Sequence, residues 1–165
     1  MKLPKFKGGR RMLVSRVDLR NNLQELNRLN AFLTGLTDQM AIDEKMLFQL
    51  NLICDELITN TILYGYAPGE EGCHVIELQV SVYPDRLEIG VTDGGVPFNP
   101  LDKEAPELDL PLDERPVGGL GIHFVRQVMD ELRYERIDDK NVLRLVKRRV
   151  PMEQEDQDEH FGNYP

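Results

Sequence analysis

Glu56 and Asn60 stand four residues apart in QLNLICDELITNTILYGY, residues 49–66, and side chains at that spacing leave a helix from one face. A carboxylate beside a neutral amide suits a magnesium-nucleotide site. The amide oxygen can ligate Mg²⁺, while the carboxylate activates a hydroxyl or holds a water in the metal's shell. Taken alone, the pair is better read as a polar seam where a core helix meets solvent. Asp93-Gly94-Gly95 ends a strand-like stretch. Two glycines there let a flat ring approach the backbone while the carboxylate accepts a hydrogen bond from an exocyclic amine, and adenine fits. An ordinary Asp-Gly turn explains the same residues taken singly. Pro97 and Phe98 would stiffen the exit and plug the core. Gly118-Gly119-Leu120-Gly121 opens a helix, where backbone N–H groups can close round phosphate oxygens at the positive helix end; a hinge or lid end is the plainer reading. Three independent coincidences are needed if every plain reading holds. Together the segments imply a nucleotide pocket.

These residues need elements to hold them. The stretch 10–19 alternates imperfectly and predicts an edge strand. Asn22 and Glu25 have capping-box spacing ahead of a helix carrying Leu23, Leu26, Leu29, Leu33 and Leu36, with Gly35 near its end. Asp43 is placed to cap the next helix, whose wide apolar stripe (Met46, Leu47, Leu50, Ile53, Cys54, Leu57, Ile58, Ile62) predicts a central core helix. Residues 75–82 and 87–91 alternate as a hairpin closed at Pro84-Asp85-Arg86. Residues 99–117 are rich in proline and acid and lack periodicity, which predicts a functional lid or a disordered loop. A helix over 122–132 precedes two short strands, 132–137 and 142–146, joined by a turn at 138–141. The order predicts an α+β fold: a two-layer α/β sandwich, helices on one face of a mixed, mostly antiparallel sheet.

The 165 residues fit one domain. Residues 10–150 form it, between a basic lead at 1–9 expected to be flexible and an acidic stretch at 151–165 expected to be disordered. A net charge of -9 argues against nucleic acid as the primary ligand, because phosphate binding needs a concentrated basic face. No run approaches the roughly 20 apolar residues of a membrane span. The two cysteines, Cys54 and Cys73, match no metal motif, and a reduced cytoplasmic setting is expected. Arg126, Arg133 and Arg136 read as solvated charges, and Lys103 and Arg115 as offsets to the acidic run.

LICDELITNTILYGY, VTDGGVPFNP and GGLGIHFVRQVMDEL resemble the N box and the two glycine boxes of the ATPase fold shared by gyrase, histidine kinases and mismatch-repair ATPases. From about residue 10 to 149 the chain looks most like the stand-alone anti-sigma factor serine/threonine kinases of bacteria. The resemblance implies ATP and Mg²⁺ as cofactors, Glu56 as the base that takes a proton from a partner serine, and Asn60 as the metal ligand. It implies that Asp93 contacts the adenine amine, that Gly95 and Phe98 line the base pocket, and that Gly118, Gly119, Leu120 and Gly121 hold phosphates. Arg28 lies where such kinases place an arginine toward the partner or the γ-phosphate. The implied partners are a sigma factor, which the protein sequesters, and a small antagonist, which it phosphorylates on serine; a homodimer is a further family expectation. Two residues depart from the pattern. Val117 stands where many relatives have the first glycine of the second box, and Lys140-Asn141-Val142 replaces a Gly-Thr before the last strand. The first departure and the acidic lid favour the alternative, a nucleotide-gated binding module without phosphotransfer; a detached histidine-kinase catalytic domain is the third possibility.

Overall fold

The structure is a computed structural model and describes residues 13–40, 42–102 and 120–149. The basic lead, most of the lid and the acidic stretch 151–165 lie outside the described residues. β1 (Leu13–Arg20) leads through a short 3₁₀ turn into α1 (Leu26–Met40), followed by α2 (Glu44–Tyr64). The hairpin β2 (Val75–Val82) and β3 (Arg86–Asp93) comes next, then α3 (Leu120–Val128), and last the hairpin β4 (Glu131–Ile137) and β5 (Lys140–Arg148). The sheet order is β1-β2-β3-β5-β4. All four pairings are antiparallel, so the sheet is not mixed.

One core joins the two layers. Leu29, Leu33 and Leu36 of α1 and Leu50, Ile53, Cys54, Leu57 and Ile58 of α2 pack in one cluster with Ile76, Leu78 and Val80 of β2 and Leu87, Ile89 and Val91 of β3. The period-2 strands and the 3.6-period helices each place their apolar side inward, which is why this order of elements closes as two layers. Burial raises the Cys54 thiol pKa, with Asp55 adding to the effect, so Cys54 behaves as a small core hydrophobe.

The caps follow local chemistry. Asn22 Oδ1 accepts from Gln24 N at 2.9 Å, and Asp43 Oδ1 accepts from Met46 N at 2.7 Å. Glu25 does not complete a capping box on Asn22; its carboxylate accepts from Arg20 N at 3.3 Å. Leu23 sits in the 3₁₀ turn and is exposed, not part of the α1 stripe. Gly35 does not end α1, which runs on to Met40, and the space beside Gly35 is open. In the stretch after Phe98, Pro100–Asp102 forms a 3₁₀ turn with Pro100 buried and Leu101 packed on the core. Arg126 of α3 holds that turn by donating to the Leu101 carbonyl.

The last hairpin turns on two residues, not four. Asp138 and Asp139 both have positive φ (48° and 59°), the backbone of a tight two-residue hairpin connection. Lys140 and Asn141 are therefore strand residues, and helix α3 stops four residues before the predicted end.

Because packing carries α2 far more than its cap does, Leu57→Ala is expected to cost about 2–5 kcal/mol and Asp43→Ala about 1 kcal/mol. Urea unfolding of the two variants checks this; equal losses would contradict it.

Candidate functional site

α2 presents Glu56 and Asn60 on one flank. Asn60 is 4% exposed, and its Nδ2 donates to the Glu56 carbonyl at 2.8 Å and to Glu56 Oε1 at 2.5 Å. With the amide nitrogen turned to Glu56, the amide oxygen points away from the carboxylate. The half-buried Glu56 side chain lies against Gly121 in the first turn of α3: a Cβ on Gly121 would collide with Glu56 Cδ and Oε2. The carboxylate thus reaches the end of α3 whose backbone N–H groups favour negative charge.

At the far end of β3 a polar row closes the core. Asp93 faces Asn141 across β3 and β5, and Asn141 faces Arg136 across β5 and β4. Asp93 is 5% exposed and its Oδ1 accepts from Gly95 N (2.8 Å), Asn141 Nδ2 (2.9 Å) and Tyr66 Oη (3.5 Å). Among the described residues these bonds all end on Oδ1, so Oδ2 is the oxygen with capacity for a ligand donor. Burial holds the Asp93 carboxyl above its usual 3.8, while Asn141, Gly95, Arg136 and Tyr66 pull it down. Burial, reinforced by Asp93, pushes the Tyr66 phenol up, so it stays a donor.

The loop after Asp93 is locked to α2. Val96 N donates to the Gly65 carbonyl at 2.8 Å, and a Cβ on Gly95 would fall on that same carbonyl. Arg136 Nη1 donates to the Gly95 carbonyl (2.8 Å) and to Asn141 Oδ1 (2.9 Å), and Asn141 Nδ2 also reaches the Val96 carbonyl (2.9 Å). Tyr134 Oη adds a bond to Asn141 Oδ1 at 2.7 Å. Phe98 N lies 3.4 Å from the same oxygen, and its ring sits 5.7 Å from that of Tyr64 in a tilted pair. Phe98 is half-buried beside the end of α2, not a plug within the core cluster.

The structure therefore brings Glu56, Asn60 and Gly121 into one group and Asp93, Gly95 and Phe98 into a second, both seated on α2. Arg28 belongs to neither by any hydrogen bond or ion pair among the described residues; it pairs with Glu25 at 3.3 Å on the exposed side of α1. Leu120 begins α3, while Gly118, Gly119, Lys103 and Arg115 lie outside the described residues. Arg136 is exposed, as its type suggests, while its guanidinium also holds the Gly95 carbonyl, and Asn141 is the hub of the second group. Continuing the Leu143, Leu145 alternation one step back toward the hairpin would have turned Asn141 inward.

No cluster of three or more His, Cys, Asp or Glu side chains suited to a metal occurs among the described residues. The Asn60 amide oxygen is a hard donor that fits Mg²⁺, which keeps waters and substrate phosphates as its other ligands. A separate open cavity of about 380 Å³ is lined by Asn21, Leu23, Ile62, Leu63, Tyr66 and Glu71 among others. Ile62 is two residues from Asn60, so this cavity flanks the other side of α2.

The family model for the histidine kinase-like ATPase domain matches residues 19–147. The chain belongs to that family. Similar proteins include the serine/threonine-protein kinase BtrW of Bordetella bronchiseptica, 28% identical over 65% of this chain and 74% of that protein. The serine-protein kinases RsbW of Bacillus mycoides (26%, covering 76% of this chain and 78% of the other) and of Bacillus licheniformis (29%, covering 70% and 72%) are comparable. In three dimensions the fold resembles the crystal structure of the RsbU and RsbW domains of a Mycobacterium tuberculosis protein, with a TM-score of 0.57 and 13% identity. That match covers 82% of this chain and spans 32% of the mycobacterial one. Within the described residues no helix is long and apolar enough to cross a membrane.

In this histidine kinase-like ATPase domain the two glycines differ in what opposes them. Gly95→Ala meets backbone that cannot move and is expected to lower the thermal midpoint strongly, whereas Gly121→Ala meets the end of a flexible glutamate and is expected to leave it near wild type. Reversed ranks in thermal unfolding would refute the packing described.

Asp93 gives a pH test. With its folded pKa raised, its contribution to stability is fully present below 3.8 and is lost as pH rises through the folded value. Asp93→Asn keeps an Oδ1 acceptor and cannot ionise, so it should gain on wild type as pH rises, with the gap narrowing toward acid. Thermal midpoints measured across that range check the sign; a gap that widens in acid contradicts it.

Proposed function

We propose that this chain binds ATP between α2, the 93–98 loop and the first turn of α3, and that Glu56 takes the proton from a serine hydroxyl of a partner protein. As a member of the serine-kinase branch of its family, it is an ATP-dependent protein serine/threonine kinase. The observation that carries the reading is the Glu56 carboxylate, tied to Asn60 and lying against Gly121 in the first turn of α3. A base there is within reach of a hydroxyl that approaches the terminal phosphate.

In this reading Asp93 Oδ2 accepts from the adenine amine, Gly95 and Phe98 line the base, and Gly118, Gly119, Leu120 and Gly121 offer backbone N–H groups to phosphate. Asn60 Oδ1 would hold Mg²⁺, which supplies charge neutralisation at the phosphates. The terminal phosphoryl group moves to the serine oxygen as its bond to the β-phosphate oxygen breaks; ADP leaves and the serine proton ends on Glu56. Arg28 would face the partner or the terminal phosphate. By analogy with the relatives, the partners are a sigma factor that the protein sequesters and a small antagonist that it phosphorylates, with a homodimer as the assembly.

Glu56→Gln keeps the size and the Asn60 contact but removes the base. It is expected to lower serine phosphorylation of a cognate antagonist by about 10²–10⁴-fold with ATP affinity within a few-fold of wild type. Labelled-ATP transfer and calorimetry measure the two quantities. ATP binding by the wild type without acid-stable phosphate on any partner would support the gated module instead; no heat of ATP binding would overturn both readings.

A further inference from the structure

The outer face of α2 is apolar where a helix facing solvent is ordinarily polar. Phe48 and Leu52 are 67% and 40% exposed, and Leu63 further along the same helix is 52% exposed. Their spacing keeps all three on one stripe of α2, with Thr59 between them. The stripe faces away from Leu50, Ile53, Cys54, Leu57 and Ile58, the side chains that α2 buries in the core. Because α2 packs against both α1 and α3, this stripe runs along the crest of the helical layer.

Glu56 borders the stripe. Leu52 stands one turn before it, a spacing that sets β carbons about 5–6 Å apart. Phe48 stands eight residues before it, about 12 Å along the helix axis. Lys45 and Asp55 flank the Phe48 end with opposite charges, so the contact this surface offers is apolar and not selected by charge. Exposed apolar groups gathered in one place mark interaction surfaces, and aromatic side chains are the usual anchors of such surfaces.

A kinase that phosphorylates a folded protein must hold more of it than one serine. Specific interfaces take roughly 800 Å² from each partner, a patch about 30 Å across. In the function proposed above, the nucleotide fills the space from Glu56 toward α3 and the 93–98 loop. The ground left to the partner is the crest of α2, and its N-terminal half, with Phe48 and Leu52, lies away from that loop. We infer that Phe48 and Leu52 are the apolar anchor on which the serine-bearing protein substrate docks. That substrate then presents an exposed apolar side chain about 6–12 Å from its phosphoacceptor serine, matching the two steps along α2. The inference rests on the proposed function in one respect: it takes Glu56 as the point the serine reaches.

The probe is the small soluble protein that the wild-type chain labels with acid-stable phosphate in an extract of its native cell, purified before use. Phe48→Gln and Leu52→Gln change exposed side chains, so their thermal midpoints should stay near wild type. Each should raise the KM for that protein about 10-fold or more, as loss of an anchor does. Values of kcat within about two-fold of wild type and unchanged ATP affinity would mark the loss as one of binding alone. Phe48→Leu keeps an apolar contact and should retain most of the affinity. Val75→Gln removes an exposed apolar side chain from the sheet face opposite the helices and should change neither constant. An unchanged KM in both glutamine variants overturns the docking while the kinase reading stands. ATP affinity that falls with the KM also overturns it, since the stripe would then be covered by another part of this chain. A wild-type self-association that the variants abolish, with KM unchanged, overturns it in favour of a second copy. If the wild type binds ATP but labels no protein, the proposed function fails first and the docking with it.

Discussion

Sealing a buried carboxylate at one end of the sheet is the constraint on which the site depends. A carboxyl at 5% exposure is costly unless donors surround it, and Asp93 meets that condition through Gly95 N, Asn141 Nδ2 and Tyr66 Oη, all on Oδ1. Those bonds bend the chain after β3 sharply back onto the end of α2. Asn141 then ties the turn a second time through the Val96 carbonyl, and Arg136 a third through the Gly95 carbonyl. The result is a rigid rim built from β3, β4, β5 and α2, with one carboxylate oxygen directed outward.

Helix α2 serves two structures at once. Its apolar stripe lies on the sheet, and Glu56 and Asn60 leave its flank beside α3. The two close backbone approaches that seat neighbouring segments on it both fall at glycines, Gly95 over the Gly65 carbonyl and Gly121 under the Glu56 carboxylate. Those glycines matter less for conformational freedom than for the missing Cβ, since neither has a positive φ. The family motif is thus a record of where two elements touch α2.

The departure from the family at Lys140-Asn141-Val142 has a physical consequence. In this chain Asn141 supplies both donor and acceptor to the polar row, accepting from Tyr134 and Arg136 while donating to Asp93 and Val96. An amide is suited to this because it carries both functions in one plane. A residue that looked like a substitution in a turn is therefore the joint between the hairpin and the 93–98 loop.

Local pattern alone determined much. The periods of α2, β2 and β3 are long and unbroken, so their type, inward faces and the Asp43 cap could be read directly, and the four-residue step from Glu56 to Asn60 required a shared flank. Polarity by residue type misled where burial depended on distant chain: Asn141 becomes interior only when β5 pairs with β3, 48 residues away for the Asn141–Asp93 contact. The extent of α1 past Gly35 was equally hidden, because a glycine in open space breaks a helix only when nothing on either side holds it. What the chain's own pattern supplied was every short-range preference; what folding alone decided was which polar groups the antiparallel register would press together, since register is set by the whole sheet and not by any one segment.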